Sequence, residues 1–94
     1  MDLETFKASL EMSSPPEGCS LALQALWHQA NGDWDTAHER AQADDSKAGA
    51  WVHGHLHRVE GDQSNAAYWY RRAGRDVPAT SLREELASIV AALE

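Results

Sequence analysis

Shifting the 94-residue chain against itself by 29 positions lays His28 on His57, Gly32 on Gly61, Asp33 on Asp62 and Ala37 on Ala66. Ala25 falls on Gly54 in the same register, small residue on small. Self-similarity at a period in this range marks stacked helix-turn-helix units, each burying its faces against its neighbours. At the paired Gly-Asp steps, glycine adopts the left-handed conformation that ends a helix at little cost.

Apolar spacing fills in the helices between these turns. Leu3, Phe6 and Leu10 predict a short helix over 3–12, which Ser13 to Gly18 interrupts. Ser14 followed by Glu17, with Pro15 between them, reads as a capping box that opens a second helix running to Ala30. Trp34, Ala37 and Ala41 space a third helix, and Asp44-Asp45-Ser46 stops it and caps a fourth, 47–60. Ala66, Trp69, Tyr70 and Ala73 mark a fifth helix that ends at Gly74, with Pro78 preventing continuation. Ser81 with Glu84 caps a last helix bearing Leu82, Leu86, Ile89, Val90 and Leu93. No segment alternates as a strand.

The fourth helix carries two stripes, Ala48-Val52-Leu56-Val59 and, roughly opposite, Ala50 with Gly54. Such a helix is sandwiched, and its small residues admit a close neighbour. Gly54, Gly61, Ala66, Tyr70, Ala73 and Pro78 fall at the small, turn, aromatic and proline positions of a tetratricopeptide repeat, which residues 46–78 resemble well and 18–45 less closely. The run from Ala66 to Ala73 is similar to the second helix of the Sel-one-like subclass. In this family His53 and His57 stand where leucine and an aromatic are usual, and the first unit is some five residues short. The expected fold is all-α: a short α–α hairpin solenoid, tetratricopeptide-like, with flanking N- and C-terminal helices. One domain spans 1–94, as an N-terminal helix and linker (1–14), a degenerate hairpin (15–45), a second hairpin (46–78) and a capping helix (79–94). The resemblance implies a scaffold that binds a protein or peptide in a groove lined by the first helix of each hairpin.

Fifteen acidic against eight basic residues give a net charge of −7, which disfavours a nucleic-acid partner. The single Cys19 permits no intramolecular disulfide and points to a reducing, cytoplasmic setting. No run of 18 apolar residues predicts a membrane span, and the N-terminus lacks the features of a signal peptide. No cofactor motif, nucleophile motif or glycine-rich phosphate loop occurs, so nothing in the sequence calls for an enzyme.

Two functional readings follow from the residues. In the first, Trp51, His55, Arg58, Asn65, Tyr68 and Arg72 form a partner-binding surface, with Trp51, His55 and Arg58 on one side of the fourth helix. Trp51 and Tyr68 are the aromatics expected to be exposed, while Trp34, Trp69 and Tyr70 pack. An open groove at Trp51, His55 and Arg58 would mark this reading. In the second, a small molecule or metal is held between helices, and a His57-Tyr68-Arg72 pocket offers groups for catalysis. His53 and His57, four apart on one face, supply half a metal site, and a third ligand must come from His28, His38 or an acidic residue. Convergent histidines in a closed polar pocket would mark it. The reading the residues favour is that the histidines only pack and hydrogen-bond, that no metal or other cofactor is held, and that zinc leaves the melting temperature unchanged; His53 and His57 are the residues to watch if a metal does bind. The wide apolar stripe of the last helix, on a chain with only two repeats, further predicts a homodimer.

Overall fold

A computed structural model describes residues 1–93 and has six helices: α1 (Leu3–Ser9), α2 (Leu21–Ala30), α3 (Trp34–Gln42), α4 (Lys47–Glu60), α5 (Gln63–Arg72) and α6 (Leu82–Leu93). The described residues contain no strand, so the fold is all-α. Among the described residues no helix is long and apolar enough to cross a membrane.

The 29-residue repeat is a repeat of helix-end geometry. Gly32 and Gly61 take φ of +83° and +86°. The next residue closes each end with a long backbone bond, Asp33 N–H to His28 C=O and Asp62 N–H to His57 C=O, both 2.9 Å. The same aspartates then cap the following helices, Asp33 accepting from Thr36 N–H and Asp62 from Asn65 N–H, each at 3.1 Å. At α6 the expected capping box forms in both directions, Glu84 N–H to Ser81 Oγ at 3.1 Å and Ser81 N–H to Glu84 Oε1 at 3.2 Å.

The first two helices differ from expectation. α1 stops at Ser9 because bonds of the i to i−3 kind, such as Met12 N–H to Ser9 C=O at 3.0 Å, tighten the chain beyond it. α2 begins at Leu21, not near Pro15. Gly18 is left-handed, at φ +83°, so no helix runs through it, and Ser20 is the cap, accepting from Leu23 N–H at 3.2 Å.

α2 pairs with α3 and α4 with α5, while α4 also meets α2, α3 and α6. Enclosed on several sides, α4 buries every residue from Gly49 to His57. The close approaches occur at its glycines. A Cβ on Gly54 would lie 3.1 Å from the Tyr70 ring, and one on Gly49 would lie 2.5 Å from the Asp44 carbonyl oxygen. On an open helix, alanine in place of glycine adds up to ~1 kcal/mol. Gly49→Ala is expected to do the reverse, destabilising by about 1–3 kcal/mol, because backbone must move to admit the methyl. Thermal denaturation checks the sign, and a raised Tm would contradict this packing.

α6 crosses α4 and touches α1 and α2. Ile89 and Val90 enter the core, while Leu86 and Leu93 pack against it half-buried. Much of the apolar stripe is therefore used within the chain, and Leu82 is its most exposed large member at 39%.

Candidate functional site

Three imidazoles from two helices meet between α3 and α4. His38 on α3 and His53 and His57 on α4 each bring a ring nitrogen within 4.8 Å of the others. His53 Nε2 and His38 Nε2 stand 3.0 Å apart, sharing a hydrogen bond. His57 is oriented from outside the cluster, its Nδ1 lying 2.7 Å from Glu60 Oε2, one turn along the same helix.

Tryptophans wall the cluster. Trp69 stacks on His53 with ring centres 3.7 Å apart, and Trp34 stacks on His38 at 4.9 Å. Trp34 is itself held by its indole N–H, which donates to Leu56 C=O at 2.8 Å. Burial, reinforced by the neighbouring His38 and His57 and by Arg72, pushes His53 down to about 4. His38 is lowered too, first by burial and then by His57. At neutral pH both rings are thus uncharged, and in their shared hydrogen bond one Nε2 donates to the lone pair of the other. His53 Nδ1 is buried without a partner, so this ring lacks the outer support that His57 has from Glu60.

A second polar centre lies beneath α6, where Glu85 is 2% exposed. Its Oε1 receives His55 Nδ1 at 2.6 Å and the Arg58 guanidinium at 2.7 Å. Its Oε2 receives the Trp51 indole N–H at 3.1 Å and the Tyr70 hydroxyl at 2.5 Å. Burial alone would raise this carboxyl, but the bonds from His55, Tyr70 and Arg58 outweigh burial and hold it below its ordinary value. Burial and the adjacent Glu85 push the Tyr70 phenol upward. Arg58 also bonds Thr80 C=O, just before α6.

These contacts correct the expectation that Trp51 is exposed and that Trp51, His55 and Arg58 line an open groove. α6 lies over them, leaving Trp51 at 6% and His55 at 1% exposure. Trp51 also has the Arg75 guanidinium 3.4 Å from its ring centre. Arg58 spends its charge on Glu85. Asn65, Tyr68 and Arg72 remain exposed on α5, with Arg72 donating to the Tyr68 hydroxyl at 3.2 Å and lying 5.1 Å from the Trp69 ring. Trp34, Trp69 and Tyr70 pack, as their spacing implied.

Of the open choices for a third ligand, His38 joins His53 and His57, while His28 packs against Trp27. Glu85 lies outside the candidate residues that spacing picks out, although its place carries a signal: it stands three residues after Leu82 and four before Ile89, on the apolar side of its helix. Comparison of the chain with protein-family models, curated proteins and solved structures finds no match.

Proposed function

We propose that this protein binds a divalent transition-metal ion, zinc being the best fit, through His38, His53 and His57. The convergence of three imidazoles in one walled cluster carries this reading. Two nitrogens on one tetrahedral zinc, at 2.0–2.1 Å each, lie about 3.3 Å apart. The 3.0 Å between His38 and His53 needs to open only slightly to reach that spacing. The Glu60-His57 pair is the carboxylate–imidazole arrangement that fixes a ligand's tautomer. Imidazole suits zinc, copper and nickel, whereas magnesium and calcium take oxygen ligands. Three protein ligands leave a fourth position for water or another small ligand.

Calorimetric titration of the metal-free protein with zinc tests the proposal. One ion per chain is expected, with binding lost in His57→Ala and in His38→Ala. Affinity unchanged from that of the parent protein in both variants would overturn it. Because His38 and His53 are neutral at pH 7, affinity should weaken little between pH 7.5 and 6.5 on their account.

The interaction-module reading retains one specific support, the exposed Tyr68-Arg72 pair beside Asn65 on α5. A partner protein or peptide would meet these three side chains, while Trp51 and His55 stay covered by α6. Loss of a co-purifying protein on Tyr68→Ala with Arg72→Ala would support it, and unchanged capture would remove it.

A further inference from the structure

A cavity of 520 Å³ opens on the side of the molecule formed by α1, α2, α4 and α6, within the size range of small-molecule sites. Its apolar walls include Phe6, Leu10, Val59 and Leu86. The polar groups are sorted by depth. Lys7 and Arg83, from different helices, are exposed at the rim, whereas His55 is buried and Gln29 half-buried. Among the described residues no acidic one lines the cavity, although the chain has fifteen acidic residues and only eight basic ones.

Gln29 Oε1 is buried with no hydrogen-bond partner. A buried acceptor left open costs about 1–3 kcal/mol, so turning the half-buried Gln29 side chain to meet a donor in the cavity is favoured. His55, whose Nδ1 is taken by Glu85, forms the wall with it. We infer that the cavity binds a small hydroxylated carboxylic acid with an apolar body. Its hydroxyl donates to Gln29, its ring or chain lies against Phe6, Leu10 and Leu86, and its carboxylate meets Lys7 and Arg83 at the mouth. This site is separate from the histidine cluster and does not depend on a metal.

The probe is 3-(4-hydroxyphenyl)propanoate, compared with 3-phenylpropanoate, which lacks the hydroxyl, and 4-ethylphenol, which lacks the carboxylate. Binding is read from NMR shifts of the Gln29 side-chain amide and of the methyl groups of Leu10 and Leu86. Saturable binding is expected, weakened about tenfold by loss of either polar group. Lys7→Gln with Arg83→Gln, both at exposed positions, should weaken the acid about tenfold and leave 4-ethylphenol unchanged. The inference is overturned if no saturable shift appears at millimolar probe. It is equally overturned if all three compounds bind alike, or if the double variant holds the acid as well as the parent does. His53→Ala should retain binding, which separates this result from the fate of the metal proposal.

Discussion

Glu85→Ala is expected to lower stability by about 3–5 kcal/mol, the cost typical of removing one partner from a buried ion pair. The substitution takes the shared acceptor from four donors on α4 and α5 and leaves the Arg58 charge without its carboxylate. For a domain of this size each kcal/mol is worth roughly 4–8 °C, so Tm should fall by at least about 12 °C. Against a total stability of about 5–15 kcal/mol, that loss is severe. The control is Glu84→Ala at the neighbouring position, where the side chain is exposed and only caps α6. Its cost should stay at about 1 kcal/mol. Equal losses from the two substitutions would mean that α6 is not held by the Glu85 contacts.

The second large effect is a loss of stability in mild acid. In the unfolded chain His53 titrates near 6.5, while in the fold it is held to about 4. Between those values the unfolded state takes up a proton that the folded state refuses, so stability falls as pH drops from 6.5 to 4 and levels off below. A displacement of this size corresponds to roughly 3 kcal/mol. His38 is shifted the same way and adds to the loss. Glu85, lowered in the fold, contributes stability that is present above its ordinary 4.5 and is lost as pH falls further. Urea unfolding across pH 7.5 to 3.5 should therefore show a decline that begins near 6.5. His53→Phe, which keeps a ring against Trp69, should flatten the upper part of that decline and leave the part due to Glu85. A decline confined to pH below 4.5 in the parent protein would show that His53 is not held neutral.

The parts of this structure that could be read from the sequence are those set by local chemistry. Gly32-Asp33 and Gly61-Asp62 specify a helix stop within a few residues, and Ser81 with Glu84 specifies a start. The Ser14-Glu17 pattern misled because the same local rules offered a competitor: Gly18 turns left-handed and Ser20 takes the cap. The sites were harder to read because they depend on pairings across the fold. His53 and His57 share a face by helical spacing, but only the packing of α3 on α4 decides that His38, and not His28, completes the cluster. Trp51, His55 and Arg58 do share a side of α4, as spacing required. Spacing alone could not tell that α6 would lie over that side and bring Glu85 with it.

The most direct measurement for the metal-binding account is the long-range proton–nitrogen NMR spectrum of the five imidazoles, recorded before and after one equivalent of zinc at pH 7. The account predicts that one nitrogen each of His38, His53 and His57 moves to the position of a metal-bound imidazole. His28 and the Glu85-bound His55 should stay in place. No change in the cluster resonances, or a change confined to His28, would contradict it.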